Sequence, residues 1–90
     1  MVLVNDSPDD ELLLTNLALE NIVLTLKKGN VINFKVKFPR KATVAVIGNK
    51  LNQAAKHYTK NSQLEDVIQI FDIKTDVSIQ TIDLKIITLK

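Results

Sequence analysis

Residues 32–38 read Ile32-Asn33-Phe34-Lys35-Val36-Lys37-Phe38, and this stretch decides the fold. Apolar and polar residues alternate along it, which is the periodicity of a β-strand with one buried face. The alternation predicts that the four apolar side chains point into a core and that Asn33 and the two lysines face water. We therefore expect a sheet with one covered face and one wet, basic face.

A second β-type run, from Ile22 to Lys27, precedes this strand. The residues between the two runs are Lys28-Gly29-Asn30, and glycine and asparagine accept the positive φ values that tight turns need. The two runs are therefore predicted to form a β-hairpin.

Pro39 ends the strand, because proline lacks the N–H that a sheet ladder requires. The residues after it have helical periodicity, which predicts an amphipathic helix over 44–59 with Thr43 as its N-cap. Gly48 would lie inside this helix at a cost of about 1 kcal/mol relative to alanine. The apolar face of the helix would consist of Val44, Ile47, Leu51, Ala54, Ala55 and Tyr58.

The stretch Ser62-Gln63-Leu64-Glu65 has the pattern of a capping box, so a helical turn is expected to begin at Gln63. Both a helix and a strand fit the spacing of residues 63–73. The β-branched and aromatic content of residues 67–73 favours a strand there.

A last strand is predicted from Val77 to Leu89, after a turn at residues 74–76. Its alternation would point Ile82, Leu84 and Ile86 into the core. The alternation changes phase at Ile86-Ile87, which predicts a β-bulge at that position.

Residues 1–21 contain five acids and no base. Within them, residues 7–11 read Ser-Pro-Asp-Asp-Glu, which resembles a helix start with a serine N-cap, a proline and acids in the first turn. A short helix to about Glu20 is predicted on this basis. A turn between two strands uses the same residue types, so strand remains an alternative over 7–20.

Together these elements predict a single α+β domain over residues 1–90. An acidic N-terminal segment at 1–21 would precede a ββαββ core at 22–90, in which one amphipathic helix crosses a four-stranded sheet. This order, with a leading hairpin, a crossing helix and closing strands, resembles the ubiquitin-like β-grasp fold. The chain ends in residues 87–90 without the terminal Gly-Gly of conjugating members, so the resemblance implies no conjugation.

The formal charge of +2 hides an uneven distribution along the chain. Residues 22–61 contain nine bases and no acid, whereas residues 62–90 contain five acids and three lysines. Such a basic block is able to bind nucleic-acid phosphates or an acidic partner. Its members are Lys27, Lys28, Lys35, Lys37, Arg40, Lys41, Lys50, Lys56 and Lys60.

The composition argues against catalysis and metal binding. The chain has one histidine, two glycines and no cysteine, so thiolate zinc sites, cysteine nucleophiles and glycine-rich phosphate loops lack their residues. His57 is expected on the solvated side of the helix, and the acids at 6–11 lack the spacing of a calcium loop. We expect no enzyme activity, cofactor or metal, and no small-molecule substrate is evident.

The sequence favours a partner of another kind. Five leucines near the N-terminus carry more apolar surface than a short helix needs, so some are expected to contact a protein partner. The acidic segment is also able to dock on the basic block of its own chain or of a second copy, as in a homodimer. The candidate interface residues are Leu12, Leu13, Leu14, Leu17 and Leu19.

The preferred interpretation is a small non-enzymatic protein-interaction module, either an adaptor or a self-associating domain. The alternative is a weak nucleic-acid-binding protein that contacts the phosphate backbone through residues 27–60. Base reading is not expected, because the chain has one arginine and its aromatic residues alternate opposite the lysines. The N-terminal residues contain no secretion signal or membrane span, so a cytoplasmic location without a membrane partner is the default expectation.

Overall fold

Strand β4, Val31–Lys37, is an inner strand of the large sheet with a neighbouring strand on each side. The computed structural model describes residues 2–77 and 84–90. Phe34, Val36 and Phe38 are buried while Lys35 is exposed, which confirms the predicted alternation over this part of the strand.

The start of β4 departs from that alternation. Ile32 is 46% exposed, and Val31 is buried in its place. The pairing of β4 with the following long strand shifts register between Val31 and Lys35. Because side chains alternate with a period of two, such a shift moves the residues before it to the opposite faces.

Seven strands and two helices are found within residues 2–77 and 84–90. Numbered in chain order, the strands are β1 (Leu3–Val4), β2 (Glu11–Leu14), β3 (Leu24–Thr25), β4, β5 (Val44–Ile47), β6 (Val67–Thr75) and β7 (Lys85–Leu89). The helices are α1 (Asn16–Glu20) and α2 (Gln53–Lys60). The chain is thus a small α+β domain.

The large sheet has five strands in the order β2-β7-β6-β4-β5, and β1 and β3 form a separate antiparallel pair. In the large sheet β2 and β7 are parallel, and the other neighbouring strands are antiparallel. The sheet is therefore mixed, and β2 and β5 are its two edges.

One face of the large sheet packs on the hydrophobic core. Its buried side chains form one cluster with Leu19 of α1, Ala55 of α2, and Val4 and Leu24 of the small sheet. The sheet contributes Val31, Phe34, Val36, Val46, Ile68, Ile70, Ile87 and Leu89 to that cluster. The two helices and the small sheet therefore cover this face only.

The α+β class predicted from the sequence is confirmed, but the ββαββ order and the four-stranded sheet are wrong. The predicted hairpin of residues 22–38 is not formed, because β3 pairs with β1 instead of β4. The leading hairpin on which the β-grasp resemblance depended is therefore missing.

The predicted helix over 44–59 is wrong in its first half. Residues 44–47 form edge strand β5, and the helix begins only after Asn52, whose side chain accepts a hydrogen bond from the N–H of Ala55. Gly48 lies between them with a φ of +100°, a value that ends regular structure for most residues. Thr43 is consequently not a helix cap.

The N-terminal segment combines the two alternatives considered for it. Residues 11–14 form β2, and helix α1 begins only after Thr15, whose hydroxyl accepts from the N–H of Ala18 at 3.1 Å. Ser7 forms an isolated bridge with Val4 and Pro8 lies in the irregular chain before β2, so neither residue starts a helix. The predicted helix is thus reduced to five residues.

The predicted capping box does not start a helix. Glu65 has a φ of +71°, and the N–H of Gln63 donates to the carboxylate of Asp66 at 2.9 Å, which closes a turn before β6. The strand predicted over 67–73 is confirmed and extends to Thr75.

The last strand is confirmed only in part. Its inward residues are Lys85, Ile87 and Leu89, whereas Leu84 is 45% exposed, so the predicted phase is wrong. The pairing of β7 with both neighbours is regular, so the predicted bulge is not found. The expectation for Ile82 lies outside the described residues.

Gly48 gives a test of the corrected fold. If position 48 lay in a helix, as the sequence predicts, Gly48→Ala would stabilise the protein by about 1 kcal/mol, because alanine is a better helix former than glycine. At a φ of +100° the same Gly48→Ala substitution is expected to destabilise the protein by about 1 kcal/mol, as measured by urea unfolding.

Gly29→Ala is the matched control, because its φ is +107° and an added Cβ would lie 2.6 Å from Cγ1 of Val77. A Cβ at Gly48 would meet nothing within 4 Å. We therefore expect the larger loss at Gly29. Stabilisation by Gly48→Ala would contradict the strand at 44–47.

Candidate interaction surface

The second face of the large sheet has no covering element within residues 2–77 and 84–90. We call it the outer face. Strand alternation places on it the side chains that lie between the core residues of each strand. The register of the strands identifies them as Glu11, Leu13, Ile86, Thr88, Val67, Gln69, Phe71, Asn33, Lys35, Lys37, Ala45 and Ile47.

These residues form rows that cross the sheet. In one row Leu13 lies beside Thr88, which lies beside Val67. Leu13 is 62% exposed and Val67 is 45% exposed. At the other edge Ile47 is 91% exposed beside Asn33. Exposed apolar side chains therefore lie on both edge strands and on β6.

A shallow cleft lies at the β2 end of the outer face. It has a volume of about 400 Å³ and lies between β2 and β7. Leu13 and Ile86 provide its apolar wall, and Glu11 places a carboxylate at its side. An apolar side chain of a binding partner would fit such a depression.

The middle of the outer face is charged. Nζ of Lys35 lies 3.0 Å from Oδ2 of Asp72, and both side chains are nearly half exposed. The hydrogen bond and the charge of Lys35 lower the pKa of Asp72, and the more distant charge of Lys74 adds to this effect. Lysine charge on this face is therefore partly neutralised.

A second group of cations lies at the loop between β4 and β5. Nζ of Lys37 donates to the carbonyl oxygens of Phe38 and Lys41. Nζ of Lys41 lies 5.6 Å from the ring centre of Tyr58, which packs edge-to-face on Phe38. Together with the exposed Arg40, these residues form what we call the basic corner.

The nine bases predicted as one contact surface are divided between two sides of the molecule. Lys35 and Lys37 project from β4 on the outer face. Lys56 and Lys60 project from α2, whose Ala55 packs into the core under the opposite face. The remaining five lie in loops or at an isolated bridge, namely Lys27, Lys28, Arg40, Lys41 and Lys50.

The five candidate leucines are also divided. Leu19 is fully buried, and Leu12 and Leu14 pack against the core. Only Leu13 and Leu17 are well exposed, at 62% and 68%. Three of the five leucines therefore belong to the core or pack against it, and only Leu13 lies on the outer face.

Sequence reasoning missed the apolar residues Ile47, Val67 and Ile86 of the outer face, of which Ile47 and Val67 are exposed and Ile86 is half-buried. Ile47 was assigned to the buried side of a helix, and Ile86 was assigned to the core. The β-branched run at 44–47 is the signal that favours a strand there, with Ile47 on the face opposite Val46.

No cluster suited to catalysis or metal binding is found within the described ranges. His57 is exposed, and its Nε2 lies 3.4 Å from Nδ2 of Asn61. No group of three or more histidine, cysteine or acidic side chains is close enough to hold a metal ion in residues 2–77 and 84–90. A further cavity of about 280 Å³, between Leu24 and Asn49, has no titratable side chain in its wall.

None of the helices within the described residues is both long and apolar enough to span a membrane.

No protein-family model matches the sequence, and no curated protein matches it either. The function must therefore be inferred from the residues of this chain.

The ion pair on the outer face predicts a measurable pKa change. Lys35→Met removes the charge but keeps the alkyl stem, so it is expected to raise the pKa of Asp72 toward its ordinary value. A lowered pKa stabilises the fold above the ordinary aspartate range, and this contribution is lost as the pH falls through the folded-state pKa. The variant should therefore lose less stability on acidification than the wild type, and carboxyl NMR titration measures the pKa itself.

Lys74→Met is the matched control, because Lys74 lowers the pKa of Asp72 only through a weaker Coulomb interaction. Its effect on the pKa should be the smaller one. Equal effects of the two substitutions would contradict the contact between Lys35 and Asp72.

Proposed function

We propose that this protein is a small non-enzymatic protein-interaction module that binds its partner through the outer face. The observation that carries the proposal is the exposure of Leu13, Val67 and Ile47 on a sheet face that no element of the described residues covers. Single exposed apolar residues are normal, but apolar side chains that recur on four strands of one sheet face, β2, β7, β6 and β5, are a feature of interaction surfaces.

The chemistry of the outer face suits a protein partner. Its apolar side chains would be buried on contact, while Gln69 and the lysines of β4 would form polar contacts between them. The cleft beside Leu13 and Ile86 offers an anchor position for one side chain of the partner. Both an adaptor and a self-associating domain are consistent with this arrangement.

A deletion of residues 1–20 is not a suitable test. It would remove β1, β2 and α1, and with them the buried Val4 and Leu19, so the rest of the core would lose its packing. Point variants on the surface leave the core intact.

Val67→Glu is the direct test of the outer face. It places a charge among apolar side chains that the partner would bury, so binding is expected to weaken by about tenfold or more. Binding is measured in two ways: by light scattering of the purified protein up to about 1 mM, and by mass spectrometry of proteins retained from a cell extract.

Leu64→Glu is the matched control, since Leu64 is 69% exposed but lies in the turn before β6. It should leave self-association and retained proteins unchanged. If Val67→Glu behaves like Leu64→Glu in both measurements, the outer face is not the contact surface.

The basic corner supports a second candidate function, weak binding of nucleic acid through phosphates. Three cationic side chains meet there, and Lys41 lies over the ring of Tyr58. The sequence from 22 to 61 contains no acid that would repel a phosphate backbone. Such binding would depend on charge and be independent of base sequence.

The double substitution Arg40→Glu with Lys41→Glu tests this second function. The wild type is expected to bind single-stranded or duplex DNA at about 50 mM salt and to lose this affinity steeply by about 200 mM. The corner variant should bind at least about tenfold more weakly in a fluorescence-anisotropy titration.

The matched control is Lys27→Glu with Lys28→Glu, which changes the net charge equally at a different loop. It should retain most of the affinity. Absence of any binding by the wild type at about 50 mM salt would exclude the second function.

A further inference from the structure

We propose that this chain also associates with a second copy of itself, joined edge to edge so that strand β2 of one copy pairs with strand β5 of the next. This inference goes beyond the proposed function, because it concerns the edges of the large sheet and not its outer face. Both strands are edges of the large sheet, and each has four residues.

The free edge of β2 exposes unused backbone groups. The carbonyl oxygens of Asp10 and Leu14 accept hydrogen bonds from the N–H groups of Ile86 and Lys90 at 2.8 and 3.0 Å. Because backbone groups alternate along a strand, those of Glu11 and Leu13 point away from the sheet. No hydrogen bond to them is found within residues 2–77 and 84–90.

The free edge of β5 is similar but partly capped. The N–H of Gly48 donates to the carbonyl of Ile32 at 2.7 Å, so the backbone groups of Ala45 and Ile47 point outward. Nδ2 of Asn52 donates to the carbonyl of Ala45 at 3.2 Å. A carbonyl oxygen has two lone pairs, so this contact leaves one acceptor position on Ala45.

The two edges have opposite charges. The chain enters β2 through Asp9, and the strand itself starts at Glu11, while the carboxylate of Asp10 between them is paired with Lys85 of the same chain. Arg40 and Lys41 precede β5 and Lys50 follows it, with no acid anywhere between residues 22 and 61. Two β2 edges would therefore repel each other, as would two β5 edges, whereas a β2 edge and a β5 edge attract.

The strand directions fit the same pairing. From β7 to β5 the neighbouring strands are all antiparallel, and β2 is parallel to β7, so β2 and β5 run in opposite directions within one sheet. A second copy that lies alongside with its outer face on the same side thus presents β5 antiparallel to β2. The large sheet then continues from one copy into the next.

In one register of this pairing, every backbone N–H and C=O group that points away from either edge would form a hydrogen bond with the other copy. It places Glu11 opposite Ile47 and Leu13 opposite Ala45 of the second copy, with all four side chains on the outer face. Antiparallel pairing also brings Asp9 to the same end as Lys50 of the second copy. The exposed Ile47 gains a neighbour, and an acid meets a base.

Pairing of unlike edges leaves one free edge of each kind on the assembly. Such a head-to-tail contact produces a ring when its rotation closes and a filament when it does not. The mass of the wild type is therefore expected to rise beyond that of a dimer with concentration, as measured by sedimentation and light scattering.

Charge exchange tests the pairing directly. One variant has Asp9→Lys with Glu11→Lys, and the other has Lys50→Glu. In each variant alone, positions 9 and 11 of one copy have the same sign of charge as position 50 of the next copy. Each variant should therefore associate about tenfold more weakly than the wild type. An equimolar mixture restores opposite charges at every junction and should recover association, which also shows that both variants are folded.

A wild type that stays monomeric to about 1 mM, a mass that stops at a dimer, or a Lys50→Glu variant that associates normally would each overturn the edge pairing. These outcomes are separate from failure of the proposed function. Binding of another protein that is lost with Val67→Glu tests the outer face, whereas self-association that is lost in either charge variant alone and recovered in their mixture tests the edges.

Discussion

A buried ammonium group holds the edge of the large sheet in place. Lys85 of β7 is fully buried, and its Nζ lies 2.9 Å from Oδ1 of Asp10 and 3.2 Å from the carbonyl oxygen of Asp9. A buried charge is tolerated only with such partners, so the contact fixes the chain that leads into β2. The row of Leu13, Thr88 and Val67 on the outer face depends on the position of that strand, and so do the acids at the β2 edge.

The same lysine explains why the phase of the last strand is not predictable from its sequence. A lysine is expected to face water, so alternation around it assigns Leu84 and Ile86 to the core. The partners that allow Lys85 to be buried are about 75 residues away in sequence. Strand β6 and the Phe34 to Phe38 part of β4 were predictable because local composition and burial agree there.

The candidate surface was less predictable than the core, because its members come from strands that are distant in sequence. Leu13, Val67 and Ile47 become neighbours on one face only once the strand order is known. Residues 44–59 also fit a helical period, and pairing of Val44 to Ile47 with β4 overrides that local preference. The same strand order, which depends on contacts between distant residues, exposes Leu13 on the outer face, whereas Leu19 of α1 is buried.

A sheet with apolar residues on a face, and with two edges, that no element of the described part of the chain covers would aggregate unless its edges were controlled. The chain places acids at one edge and bases at the other, so contact between identical edges is repelled. Lys35 and Asp72 keep charge in the middle of the outer face, which makes unspecific stacking of two such faces costly. The acids at the β2 edge and the bases at the β5 edge, which repel an identical edge, are also the charges that attract the other kind of edge. In the pairing we propose, the arrangement would favour contact between unlike edges over contact between like edges, whereas a uniformly basic surface would not discriminate between them.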